Sequence, residues 1–200
     1  YGVAENECGW WKVEGGKVNF DYYGVAENEF GWWRIEGGKV NFDYYGIAEN
    51  EYGWWKIEGG KVNFDYTGLA DSDNGRMYVS NGGVDFGYTN VIQDGDVWVY
   101  VENGKVRYDY TGIRENANGW WKIESGIVNF KFTGIASNEN GEFYIKDGKV
   151  DFDYSGTINQ SDCIYTVKSG WVVSKEGISG IIKGVDVSHH NNDNGEGVLN

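Results

Sequence analysis

The sequence predicts an all-β fold, a superhelical solenoid of eight 22-residue β-hairpin repeats with a short non-repeat C-terminal tail. Three observations carry this. The first is a fixed period. Copies of one pattern begin at Tyr1, Tyr23, Tyr45, Thr67, Thr89, Thr111, Thr133 and Ser155, without insertion or deletion. Units this short bury a core only by stacking on their neighbours. The second is a glycine at the sixteenth position of every copy, from Gly16 to Gly170, preceded by Gly, Asn, Asp or Ser. Pairs such as Asn81-Gly82 and Asp147-Gly148 suit a two-residue hairpin, because a type I′ turn needs φ > 0 at both central residues. The third is the period-2 alternation of apolar residues on both sides of that glycine.

The elements follow in order along one copy. A turn at Gly15-Gly16 sets the register, so Glu14 faces Lys17, Val13 faces Val18, Lys12 faces Asn19 and Trp11 faces Phe20. Alternation places Trp11, Val13, Val18, Phe20 and Tyr22 on one face, and Trp10, Lys12, Glu14, Lys17, Asn19 and Asp21 on the other. The first face is the expected core. Its position after the turn is valine in every copy, from Val18 to Val172, opposite Val or Ile, and β-branched pairs suit a half-buried pleat. On the second face Glu14–Lys17 recurs as Glu36–Lys39, Glu58–Lys61 and Glu102–Lys105; exposed pairs of this kind contribute under ~1 kcal/mol each. The second strand is expected to continue past Tyr22 through Tyr23-Gly24-Val25-Ala26. A polar loop at Glu27-Asn28-Glu29 then returns the chain to the next Trp-Trp strand. Two strands per copy give about sixteen, more than an open twisted sheet sustains, hence the superhelical course.

Domain organisation follows from the period. Residues 1–176 form the eight repeats (1–22, 23–44, 45–66, 67–88, 89–110, 111–132, 133–154 and 155–176), 177–182 a linker, and 183–200 the start of something different. The chain begins without Met and stops inside a motif, so it reads as an internal fragment.

A net charge of −14 disfavours nucleic acid, which needs Lys and Arg against phosphates, and anionic membranes and wall polymers with it. Neutral or cationic groups, sugars or quaternary amines, are the easier partners. No apolar run is long enough to span a bilayer, so membrane insertion is not expected. Cys8 and Cys163 lie in the first and last copies. Stacking at ~4.8 Å per strand separates them by far more than the ~7 Å a disulfide spans.

The tenth position is the candidate ligand-binding column: Trp10, Trp32, Trp54, Trp98 and Trp120, with Arg76, Glu142 and Ile164 in other copies. By register it points away from the Val/Ile core. The eleventh position points inward and stays bulky, as in Trp11, Met77, Val99 and Phe143. A column of partly exposed indoles stacks on sugar faces or cages a quaternary ammonium by cation–π attraction, with avidity from repetition. The alternative is that each indole packs between neighbouring hairpins and glues the solenoid. The fourth, seventh and eighth copies lack the indole and are the least competent. Asp71-Ser-Asp73-Asn-Gly75 and Ser137-Asn-Glu139-Asn-Gly141 resemble pieces of oxygen-rich calcium loops but lack the downstream Glu, and the same residues make plain turns. No metal and no cofactor are assigned.

After Glu176 the period ends. Lys183-Gly-Val-Asp-Val-Ser-His-His-Asn191 resembles the opening strand of the glycoside hydrolase family 25 lysozymes, or muramidases. That resemblance covers about residues 182–200 and places Asp186 at the family's active-site Asp. The partner carboxylates that glycoside cleavage requires would lie beyond Asn200, so this chain is expected to be inactive by itself, as a piece of a parent lysozyme-type glycoside hydrolase. The repeats, with Gly-Trp-Trp and Gly-Lys-Val-Asn-Phe-Asp-Tyr, are similar to choline-binding and glucan-binding repeats of Firmicutes surface proteins. The resemblance implies a secreted or cell-surface module that tethers a muramidase to cell-wall peptidoglycan, its attached polysaccharide, or choline-like groups. A structural stalk, or a filament self-associating end to end, is the rival.

Overall fold

The structure is a computed structural model describing residues 2–178. Every regular element in that range is a strand, twenty-four in all, and the 22-residue period is kept throughout. The all-β repeat solenoid expected from the sequence is what the chain forms. The tail strand expected at 183–200, with Asp186, lies outside the described residues. The described residues divide into two compact units, 2–132 with 147–149, and 133–146 with 150–178.

In the first unit each copy contributes three strands rather than two. The second copy supplies Gly24–Asn28, Gly31–Glu36 and Lys39–Val40. The turn register is the expected one, with Ile35 opposite Val40 and Glu36 opposite Lys39. The longer hairpin is a separate one, pairing Gly24 with Ile35, Ala26 with Trp33 and Asn28 with Gly31. The expected continuous second strand is therefore a correction. It stops because Asn19 turns the chain: its Oδ1 accepts the Asp21 amide at 3.0 Å, and its carbonyl accepts the Tyr22 amide at 3.4 Å. Such Asx turns compete with the ladder. Trp11 consequently pairs with Lys39 of the next copy, not with Phe20.

Core placement changes with it. Phe20, Phe42, Phe64 and Phe86 are exposed, not core. The core forms between copies, because both faces of each hairpin are used. In the first junction Val3, with Trp10 and Tyr22 against it, covers Ala26, Trp33, Ile35 and Val40 of the second copy. The Lys12 column is also enclosed rather than solvated. Lys12, Arg34 and Lys56 lie 5.0, 5.1 and 5.3 Å from the ring centroids of Tyr22, Tyr44 and Tyr66. Where that column holds tyrosine the contact becomes ring on ring, 3.6 Å for Tyr78–Tyr88 and 4.8 Å for Tyr100–Tyr110. Glu14 stands opposite Lys17 as expected, but its carboxylate takes other partners. Glu14 lies 3.5 Å from Lys12 and accepts Asn19 Nδ2 at 2.9 Å. Lys39 and Lys61 instead reach the indoles of Trp11 and Trp33, each at 5.2 Å.

The sixteenth-position glycine locks copy to copy. The Gly38 amide donates to the Tyr22 carbonyl at 3.0 Å, and the Lys12 amide donates to the Gly38 carbonyl at 2.8 Å. The same pair of bonds recurs through Gly60, Gly82, Gly104 and Gly126. A Cβ on Gly60 would sit 2.7 Å from Phe42 Cα and against the Asn41 carbonyl oxygen. Turn geometry alone therefore understates why no other residue stands there.

In the second unit the eighth copy departs from the rest. Its nineteenth position is Val173, and its last strand runs unbroken from Trp171 to Gly177. That strand pairs along Cys163–Lys168, with a bulge between Thr166 and Val167. The long second strand expected of all copies is thus realised in this one. Thr157 stands where earlier copies carry Val, Ile or Leu, Thr166 where they carry Lys, Arg or Tyr, and Glu176 where they carry Tyr or Phe, a more polar outer face of the kind that ends solenoids.

Candidate functional site: aromatic cages at the repeat junctions

Stacking one copy on the next brings three aromatic columns together. Trp10 leaves the first copy on the face that covers the second. Trp33 rises from the second copy's long strand, and Phe42 is turned outward by the Asx turn at Asn41, whose Oδ1 accepts the Asp43 amide at 3.0 Å. Ring centroids are 4.9 Å apart for Trp10–Trp33, 5.8 Å for Trp33–Phe42 and 6.1 Å for Trp10–Phe42. The next junction repeats the triangle with Trp32, Trp55 and Phe64 at 4.9, 5.8 and 5.8 Å. A third, Trp98, Trp121 and Phe130, has sides of 5.1, 5.7 and 6.1 Å. A cation above such a triangle lies within ~6 Å of all three rings, the range of cation–π attraction. Phe30 and Tyr52 add a fourth wall, each 5.9 Å from Trp10 and Trp32 respectively.

The walls are held by polar groups. Trp33 Nε1 donates to Asn28 Oδ1 at 2.9 Å, and that oxygen also accepts the Phe30 amide at 3.0 Å. Asn50 does the same for Trp55 and Tyr52, and Asn116 for Trp121 and Asn118. A buried indole N–H needs such a partner. Beneath the cages, the Tyr22 hydroxyl donates to the Val25 carbonyl at 3.0 Å. Burial, then the charges of Glu14 and Glu51, push that hydroxyl above the usual phenol range.

The junctions are not equivalent. Trp54 keeps Phe86 at 5.8 Å, but the inner wall there is Met77. At the next junction Arg76 replaces the indole and bonds Asp94 Oδ1 at 2.8 Å, opposite Val99. Asp94 stands where the indole-holding Asn stands elsewhere, and no indole at position 99 needs it. The Trp column thus divides. Trp10, Trp32 and Trp98 meet complete partners, Trp54 an incomplete set, and Trp120 is half-buried in the sixth copy. None stands alone as a free indole. The residues missed by sequence reasoning are the outer phenylalanines Phe42, Phe64 and Phe130. The signal for them was the Asn or Asp that precedes almost every one. In the loop read as calcium-like, the Ser72 hydroxyl donates to the Gly75 carbonyl at 2.7 Å and accepts the Asn74 amide at 3.2 Å. No cluster of three metal-ligating side chains occurs among the described residues.

This geometry has a family counterpart. The pattern of the choline-binding repeat matches residues 21–41, 43–63, 65–85, 87–107, 109–129 and 131–151, more than half of the chain. The chain belongs to the choline-binding repeat family. No curated protein matches it. Each matched stretch runs from before the position of Tyr22 to that of Asn41, so it spans the positions of the junction tyrosine, the two indoles and the turn asparagine. In these choline-binding repeats the walls of each aromatic triangle come from consecutive units. Among the described residues no helix is long and apolar enough to cross a membrane.

Proposed function

We propose that this array of choline-binding repeats is a cell-wall attachment module, holding choline-bearing wall polymers in its junction cages and so tethering a muramidase to its substrate. The observation that carries the reading is the recurring Trp–Trp–Phe triangle, apolar and quadrupolar, which suits a trimethylammonium group. An ammonium hydrated as strongly as that of lysine is less suited to it. The net charge of −14 favours the same cationic headgroup. The muramidase rests on the resemblance of residues 183–191 and on Asp186. Secretion to the bacterial surface, and attachment through wall polysaccharide, belong to the same proposal.

The test is retention on choline-substituted resin and on walls with and without choline, comparing the wild-type chain with the Phe42→Ala, Phe64→Ala, Phe130→Ala variant. These rings are exposed, so their removal opens the cages with little loss of core. Lost retention with an unchanged melting curve supports the reading. Undiminished retention by the folded triple variant refutes it. A second reading, the indoles as glue, is favoured by Trp10–Trp33 and Trp32–Trp55 contact at 4.9 Å. It predicts that choline leaves the thermal midpoint unmoved.

A further inference from the structure

A notch recurs beside the cages at the same place in successive junctions of the first unit. In the second junction it has a volume of about 630 Å³ and is walled by Trp32, Tyr52, Tyr22 and Tyr23. Shifted by one copy towards the N-terminus, the same positions reappear around Trp10 and Phe30, enclosing about 520 Å³. Shifted the other way, they reappear around Trp54 and Tyr44 in a smaller notch of about 190 Å³, where Asn74 replaces the outer aromatic. The feature is therefore built by the repeat and is not an accident of one surface.

Its chemistry differs from that of the cages. Glu14, Glu27, Glu49 and Glu51 are among the residues that line the second-junction notch. Its one lining cation, Lys12, lies 3.5 Å from Glu14, and Glu27, Glu49 and Glu51 have no cation beside them among the lining residues. All three are exposed, and Glu51 and Glu14 are close enough to bear on the Tyr22 hydroxyl. An indole face stacks on the apolar face of a pyranose ring. Carboxylates accept hydrogen bonds from sugar hydroxyls and, as charged acceptors, bind an ammonium more strongly. The space is ample for one sugar ring.

We infer that this notch is a second ligand site, adjoining the second cage and sharing Trp32 and Tyr52 with it, that takes a hexosamine carrying a free protonated amine, stacked on Trp32 with its amine against Glu49 and Glu51. The inference does not depend on choline occupying the cages. N-Acetylation removes the positive charge and should abolish the preference, and neutral hexoses should bind worse still.

The experiment titrates glucosamine, N-acetylglucosamine and glucose into the full chain, with and without saturating choline, following indole and tyrosine NMR signals. The same titrations are run on Glu49→Gln, Glu51→Gln. Both side chains are exposed, so the variant should fold as the wild type does. The expected result is saturable glucosamine binding that persists in choline, weakens about tenfold in the variant and again in high salt, with choline binding unchanged. Glucosamine displaced by choline and indifferent to the variant would mean an amine in the cage, and would overturn the inference. So would no saturable glucosamine binding. Loss of choline binding alone would refute the cage reading and leave the notch standing.

Discussion

Replacing Gly60 by alanine separates turn geometry from copy-to-copy locking. Gly59 and Gly60 occupy the same turn with φ of 57° and 76°. An alanine at either position enters the left-handed region, at ~1–2 kcal/mol. At Gly59 the new Cβ has room, with the Tyr45 hydroxyl nearest at 3.6 Å. At Gly60 it meets the backbone of Asn41 and Phe42, with Phe42 Cα at 2.7 Å. Backbone cannot step aside as a side chain does, so the junction must open. Two hydrogen bonds are then at risk, Gly60 N to Tyr44 O at 3.0 Å and Arg34 N to Gly60 O at 2.8 Å. At ~1 kcal/mol each, Gly60→Ala should cost about 2 kcal/mol more than Gly59→Ala. Urea unfolding of both variants, followed by tryptophan emission, measures the difference. Equal losses would show that the glycine serves only its own turn and would refute the locking argument. Gly59→Asn should be nearly neutral, because Asn81 and Asn103 adopt that conformation at φ of 49° and 50°.

Asn50→Ala removes the acceptor of both Trp55 Nε1 and the Tyr52 amide. It should cost ~1–3 kcal/mol in the same unfolding assay and loosen the second cage. Replacing Arg76 by Trp, Asp94 by Asn and Val99 by Trp rebuilds at the fourth junction the triangle that Tyr108 already borders, and calorimetry should count one additional choline per chain. Asp109 is held down at about 2, first by its hydrogen bond from Arg107 and then by its backbone amide. A depressed folded-state value means that the pair stabilises the fold above the ordinary carboxylate range, with the contribution lost as pH falls towards 2. The thermal midpoint of Asp109→Asn should therefore fall less steeply between pH 4 and pH 2 than that of the wild type; identical slopes would contradict the assignment.

The turn register was legible because Asn-Gly and Asp-Gly permit few alternatives, and Val13 opposite Val18 follows from the turn alone. What was not legible was where the following strand ends. Alternation treats Asn19-Phe20-Asp21 as three more rungs, but the Asn19 side chain bonds the Asp21 amide and takes the backbone out of the ladder. That error buried Phe20 on paper and hid the outer wall of every cage. The eighth copy has Val173 at this position, and there alternation is right. The Trp column was found, but its meaning depends on which surface covers it. A single copy cannot show this, since Trp10 meets Trp33 and Phe42 only across a junction. The Lys12 column looked like a solvated face for the other reason, the misplaced strand end: Lys122 is buried beneath an aromatic ring ten positions further along its own copy, which the turn after position 19 brings back over it.

Because each cage takes one wall from one copy and two from the next, anything seated in it is also a cross-brace. Its binding free energy is added to the junction, as for any ligand that binds the closed form alone. Pulling the array lengthwise would have to break occupied braces, so an attachment strap of this design toughens where its anchor is densest and slackens where wall polymer is sparse. The Arg76–Asp94 junction, braced by its own ion pair, would hold the same tension with or without ligand.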